Sequence, residues 1–273
     1  MIINGIPIFI YIMTFHIFLQ ARQNSTRFPN KILKKISDKT IFELIIERLQ
    51  KINDSKIFLI TGPKEKNSEL IKKSIDCNIE YFSGNENNVL DRFYNAIKKF
   101  NSKKIIRITG DCPLIDNKLI NLTQTIFNKN NYDLINNYSP RTFPHGYDFE
   151  IFNSDIVKIT WKKIMNTFSD KILFESSVIP PMKFILDSSF FSIHNISNVQ
   201  NLSFLRLTLD YYEDFQLINK IFDKLYLKNP NFSSNDVISL LKSQPDLLKI
   251  NQKFVKFNVS KLEKFIQTNS SHS

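Results

Sequence analysis

The sequence predicts an α/β protein built on a largely parallel sheet. Three observations predict it. Between residues 15 and 109, short β-rich runs alternate with segments whose apolar residues recur at helical spacing, the pattern of βαβ units. Turn residues close the runs, as in Gly62-Pro63, Ser83-Gly84 and Gly110-Asp111. An apolar fraction of 42% over 273 residues supplies a sizeable core, enough for one large α/β domain or two small ones.

The elements follow in order. Residues 15–19 form a short apolar run with polar flanks and read as a buried strand. Residues 40–52 carry Ile41, Leu44, Ile45, Leu49 and Ile52 at helical spacing, with Asp38 or Thr40 as cap. Strands are expected at 57–61, 79–82 and 104–109, and helices at 67–75 and 89–100. Leu90, Phe93, Ala96, Ile97 and Phe100 mark the apolar side of the second of these helices. The second half is less regular. Helices are expected at 119–127, 154–165, 215–225 and 237–241, and strands at 132–136, 149–152, 190–194 and 204–209. Residues 139–147, with Pro140, Pro144 and Gly146, read as a loop. The closing Thr-Asn-Ser-Ser-His-Ser reads as a frayed tail.

Composition narrows the function. The formal charge of +11 fits an anionic ligand. The lysines are spread along the chain and no nucleic-acid-binding motif accompanies them, so nucleic acid is not an expected partner. Cys77 and Cys112 lack metal-ligand spacing and imply a reduced, cytoplasmic protein. Residues 1–19 are uncharged and mostly apolar, near the minimum for a membrane span, but Asn4, Gly5, Pro7 and His16 interrupt them. They lack the basic start of a signal peptide, and their last part is needed as the first strand, so stable membrane insertion is not expected. Residues 1–12 are therefore read as a dispensable extension or a mis-assigned start, 13–250 as the domain, and 251–273 as a C-terminal tail.

Chemistry concentrates in a few stretches. Residues 20–31, Gln-Ala-Arg-Gln-Asn-Ser-Thr-Arg-Phe-Pro-Asn-Lys, hold Arg22, Arg27 and Lys31 with Ser25 and Thr26 between them. Such a loop leaving a strand can cradle a polyphosphate, with Arg as a planar fork and Lys as a point charge. Ligands bind at the carboxyl ends of strands in α/β sheets. From composition alone, a solvated basic loop explains it equally well. Asp111 follows a strand and a Gly, where a carboxylate is placed to hold a hard cation such as Mg²⁺; a helix cap or turn is the alternative. Asp210 ends the run Arg206-Leu207-Thr208-Leu209 in the same way. Gly84 lets backbone approach a ligand, and Asp91-Arg92 is either part of that site or a surface pair.

Together these motifs resemble the sugar-acid cytidylyltransferases, the CMP-sialic acid and CMP-Kdo synthetase group, and most closely their spore-coat-polysaccharide SpsF-like branch. The carrying strings are Ala-Arg-x-x-Ser-x-Arg-x-Pro-x-Lys at 21–31, Gly-x-x-x-x-Val-Leu-Asp-Arg at 84–92, Arg-x-Thr-Gly-Asp-x-Pro-Leu-Ile-Asp at 107–116, Arg-Thr-x-Pro-x-Gly-x-Asp-x-Glu at 141–150 and Arg-x-Thr-x-Asp at 206–210. The resemblance covers residues 13–250. It implies a three-layer α/β/α nucleotidyltransferase with a Rossmann-like, mostly parallel sheet. The implied reaction takes CTP and a sugar acid to a CMP-sugar and pyrophosphate, in the cytoplasm, for surface polysaccharide.

The resemblance also implies roles. Ala21, Arg22, Ser25, Arg27, Lys31, Gly84, Asp91 and Arg92 are expected at the nucleotide, and Arg22, Lys31 and Asp111 at the chemistry. Asp111 and Asp210 are expected to hold Mg²⁺, and Arg107, Arg141, Asp148 and Glu150 to meet the sugar acid. A homodimer is one state expected by analogy. Two departures stand out. Asn24 replaces a usual Gly, which Asn can imitate by adopting a left-handed backbone. Glu-Ser-Ser-Val-Ile-Pro at 175–180 replaces the branch's Arg-Glu-His-Val-Thr-Pro, removing charged and imidazole groups. The rival readings are a glycosyltransferase acting on a nucleotide-sugar, disfavoured by the lack of an Asp-x-Asp motif, and a weakened nucleotide-binding homologue.

Overall fold

The computed structural model describes residues 2–3, 6–7, 14–167, 191–255 and 258–270. The 175–180 departure and most of the 1–12 segment lie outside the described residues. So does residue 190, the start of one expected strand.

The strands of the central sheet are β1 (Phe15–Gln20), β2 (Ser55–Thr61), β3 (Glu80–Ser83), β4 (Lys104–Thr109), β5 (Leu134–Asn136), β6 (Phe149–Asn153) and β7 (Ile193–Asn195). They form one seven-stranded sheet in the order β7-β5-β6-β4-β1-β2-β3. All neighbours are parallel except β6, which runs antiparallel to β4 and β5. The helices are α1 (Ile41–Leu49), α2 (Ser68–Asp76), α3 (Val89–Phe100), α4 (Asn117–Asn130), α5 (Ser154–Thr167), α6 (Tyr212–Leu225), α7 (Ser234–Ser243) and α8 (Val259–Ser270).

Strand alternation divides the core into two layers. Ile17 and Leu19 of β1 face a cluster completed by residues of α1, α4, α6, α7 and α8. Phe18, between them, faces the opposite cluster, built with α3 and α5. The helix stripes match these faces. Val89, Leu90, Phe93, Ala96 and Ile97 of α3 are all buried. Their caps are local: Thr40 and Glu43 form a capping box on α1, the Asn88 side chain accepts from the Asp91 amide, and Asp116 accepts from the Lys118 and Leu119 amides. This is the three-layer α/β/α architecture that the sequence implies.

Three expectations are corrected. Residues 204–209 form no strand, and Phe204 lies in a turn. Arg206 makes a single bridge to His145, and the Leu207 amide donates to the His145 carbonyl at 2.7 Å. A Cβ on Gly146 (φ +114°) would lie 2.4 Å from the Leu207 backbone, so this crossing requires glycine. Within the 251–273 segment read as a tail, residues 259–270 form a docked helix. Leu262, Phe265 and Ile266 of α8 are buried in the larger cluster, because their i, i+3, i+4 spacing gives the helix an apolar face. In the first loop the left-handed residue is Asn30 (φ 55°), not Asn24.

Candidate active site

The carboxyl ends of β1 and β4 open into a cleft of about 480 Å³. Parallel strands bring these ends side by side, with Gln20 opposite Thr109. A Cβ on Gly110 would lie 2.8 Å from that of Ala21, so the close approach of the two turns depends on one residue without a side chain and one with a methyl.

The first loop lines one wall through Ala21, Arg22, Ser25, Arg27 and Lys31, and Asp111 and Asp210 line the other. The cations are paired across the cleft. Arg22 Nη1 lies 3.3 Å from Glu86 Oε1. Arg27 Nη2 and Lys31 Nζ each lie 3.0 Å from Asp210 Oδ1, and Lys31 also donates to the Leu209 carbonyl at 2.7 Å. Burial pushes the Asp210 carboxyl up, but Lys31, Arg27 and Arg206 outweigh it and hold the group below its ordinary range. Arg22 and Arg27 remain half exposed, whereas Lys31 is largely covered.

Asp111 is held differently. Thr109 Oγ1 donates to its Oδ1, and its backbone carbonyl accepts from the Leu209 amide at 2.8 Å and Thr208 Oγ1 at 3.1 Å. These bonds tie the β4 turn to the 206–210 segment, so two distant motifs meet. No cation forms a salt bridge with Asp111 among the described residues. Its neighbour Cys112 is buried, and burial raises the thiol well above its ordinary range, as suits an inert packing residue.

Mg²⁺ fits this donor set in part. No group of three or more metal-binding side chains occurs among the described residues, but Mg²⁺ characteristically uses one or two carboxylates plus substrate phosphates. Asp111, which no cation pairs among the described residues, offers a hard oxygen donor. Asp210 fits as a second ligand once Arg27 and Lys31 leave it.

The other expected residues do not line the cleft, apart from Arg92. Gly84 serves packing: a Cβ there would meet the Phe82 ring at 2.8 Å and the Arg92 stem at 3.0 Å. Arg92 Nη1 donates to the Asn85 and Glu86 carbonyls, and burial lowers its guanidinium to about 10. Asp91 accepts from Trp161 Nε1 at 3.0 Å. Arg107 and Glu150, expected at the substrate, face each other across β4 and β6 as a buried pair at 2.7 Å. Arg107 also donates to Gln20 Oε1, and Tyr138 donates to Glu150. Arg141 and Asp148 form a two-pronged pair, one prong at 2.6 Å.

Sequence reading missed Gln20, Glu86 and Thr109 as cleft residues. Glu86 lies within the 84–92 string, a carboxylate that the fold brings to the cationic loop, and Gln20 and Thr109 are the strand residues preceding the turns.

Comparison with known proteins agrees with this geometry. The sequence model of the cytidylyltransferase family matches residues 16–250. The spore coat polysaccharide biosynthesis protein SpsF of Bacillus subtilis is 27% identical over 243 residues, covering 84% of this chain and 94% of that protein. A 3-deoxy-manno-octulosonate cytidylyltransferase of Blochmanniella floridana is 27% identical over 186 residues, covering 62% of this chain and 67% of the other. The solved structure of a cytidylyltransferase from Leptospira borgpetersenii superposes with a TM-score of 0.76 at 28% identity, covering 86% of this chain and 97% of that one. The chain belongs to the cytidylyltransferase family. The activity of the family is nucleotidyl transfer. Among the described residues, no helix is long and apolar enough to cross a membrane.

Proposed function

We propose that the protein activates a sugar acid of the nonulosonate type with CTP, giving a CMP-sugar and pyrophosphate for surface polysaccharide synthesis in the cytoplasm. The observation that carries this reading is the convergence of Arg22, Arg27 and Lys31 with Asp111 and Asp210 on one cleft at the strand ends. The relatives' names, SpsF and 3-deoxy-manno-octulosonate cytidylyltransferase, support the sugar-acid substrate and the polysaccharide setting.

In this reading a sugar hydroxyl attacks the α-phosphorus, its oxygen forming a bond to phosphorus and losing its proton to solvent as the bond from phosphorus to the α–β bridging oxygen breaks and pyrophosphate leaves. The protein positions the reactants and stabilises charge. Arg27 and Lys31 exchange Asp210 for the triphosphate, and Arg22 exchanges Glu86 for it. Ser25 donates to phosphate oxygen, and Ala21 leaves room for the nucleotide beside Gly110. Arg92 fixes the 85–86 segment beside the nucleotide, with Gly84 making space for its stem and Asp91 anchoring the start of α3. Asp111, and Asp210 once uncovered, would hold Mg²⁺, which when bound supplies Lewis-acid polarisation of phosphate oxygens. Arg141 and Asp148 on the 139–147 side meet the sugar, while Arg107 and Glu150 brace that wall from within. A homodimer is the proposed assembly, by analogy with related synthetases.

The test is thermal unfolding of the full chain with each nucleoside triphosphate, with and without Mg²⁺, followed by pyrophosphate release with a panel of sugar acids. CTP at about 100 times its dissociation constant should stabilise by about 2.7 kcal/mol. Pyrophosphate should then appear only with a sugar acid present. CTP binding without release from any sugar would favour the weakened homologue, and stabilisation by nucleotide-sugars alone would favour the glycosyltransferase.

A further inference from the structure

Asp214 belongs to none of the sequence motifs and does not line the cleft, yet its geometry ties it to Asp210. It is fully buried, and its two oxygens accept five hydrogen bonds. The Asp210 and Tyr211 amides donate to Oδ2 at 2.9 and 3.0 Å. Arg206 donates through Nη2 to Oδ2 at 2.7 Å and through Nε to Oδ1 at 2.9 Å. Asn251, 1% exposed, donates to Oδ1 at 2.8 Å and to the Arg206 carbonyl at 3.0 Å.

A helix cap explains only part of this. Asp214 is the third residue of α6, and its bond to the Tyr211 amide is half of a capping box. The forked bond to Arg206 goes further, because it decides where a buried cation rests. Arg206 Nη2 keeps only a long bond of 3.5 Å to Asp210 Oδ2 while making shorter bonds to Asp214. Asp210 Oδ1 is thereby left to Arg27 and Lys31. Two-pronged Arg–carboxylate bonds are strong and directional, so the fork sets the position of the guanidinium. Removing the charge of Asp214 would leave Asp210 as the carboxylate nearest to Arg206.

We propose that Asp214, braced by Asn251, is a positioning residue that holds the Arg206 guanidinium off Asp210 and so keeps Asp210 directed at Arg27 and Lys31 across the cleft. This rests on the reading that Arg27 and Lys31 receive the triphosphate. The predicted sign is unusual. In Asp214→Asn, Arg206 closes on Asp210, Arg27 and Lys31 lose their anion, and CTP meets less competition for them.

The experiment is calorimetric titration of CTP in the presence of a metal chelator. Asp214→Asn should bind CTP about two- to tenfold more tightly than wild type, as expected for freeing the half-exposed Arg27 from its pair. Adding Arg206→Met to Asp214→Asn should return the affinity to the wild-type value. A residue acting only as a helix cap would weaken binding and would not be rescued. Weaker or unchanged affinity in Asp214→Asn, or no reversal in the double variant, overturns the proposal. Should Asp214→Asn fail to fold, Asn251→Ala keeps both charges and should tighten CTP binding by about twofold; unchanged or weaker binding there overturns the proposal too. Wild-type protein that binds no CTP defeats the functional reading and the proposal with it. Normal wild-type binding with the wrong sign in the variants defeats the proposal alone.

Discussion

The two sides of the strand ends use ion pairs in opposite ways. On the nucleotide side, Arg22 and Arg27 are half exposed and reach across open space to Glu86 and Asp210. On the sheet side, Arg107 and Glu150 sit in register on β4 and β6, with side chains 7% and 2% exposed. An exposed pair is worth little and can trade partners, whereas a buried pair cannot lose one member without stranding the other. The same residue types therefore do ligand exchange on one side and architecture on the other.

The largest expected effect tests the architectural side. Glu150→Ala leaves the Arg107 guanidinium buried without its carboxylate, and should lower stability by about 3–5 kcal/mol in urea unfolding. The Tyr138 hydroxyl would lose its acceptor as well. If Glu150 instead met the substrate, stability would hardly change and KM for the sugar would rise.

On the exchangeable side, Lys31→Ala leaves Asp210 its pairs with Arg27 and Arg206 and should cost less stability than Glu150→Ala. It should lower turnover by about 10²–10³-fold if Lys31 acts mainly in the transition state. Pyrophosphate release and urea midpoints measured on the same preparation separate the two. A large stability loss with intact turnover would move Lys31 to the architectural class.

This division also explains what the sequence could and could not reveal. The first loop was legible because its cations lie within one short stretch, and a strand end is where an α/β sheet presents ligands. Asp111 and Asp210 were legible for the same reason, each following a β-rich run. The Arg107–Glu150 pair was not, since its members are 43 residues apart and meet only through the antiparallel register of β6. Asn251 was hidden more deeply. It lies in the segment read as tail, which docks because Phe265 packs on Phe204 and Leu262 and Ile266 fill the core. Residues 204–209 looked like a strand by composition, but their partners are the turns at His145 and Asp111 rather than a neighbouring strand.

The smallest effect concerns Asp210, whose charge can be removed by substitution or by acid. Its folded-state carboxyl titrates below the ordinary 3.8, since Lys31, Arg27 and Arg206 outweigh the upward push of burial. A depressed acid contributes stability that is present above its unfolded value and lost as pH falls through its folded value. The contribution of Asp210 should thus be constant from neutral pH down to about pH 5 and fade progressively as the pH falls further, through 3.8 and below. Asp210→Asn removes it at every pH, so the wild-type and variant stability curves should run parallel above pH 5 and converge in acid. The same substitution removes the anion competing for Arg27 and Lys31, and metal-free CTP should bind about two- to tenfold more tightly. Weaker metal-free binding in Asp210→Asn would mean that Asp210 orients the two cations for the nucleotide rather than competing for them. The nucleotide-side pairs would then belong with the architecture of the site.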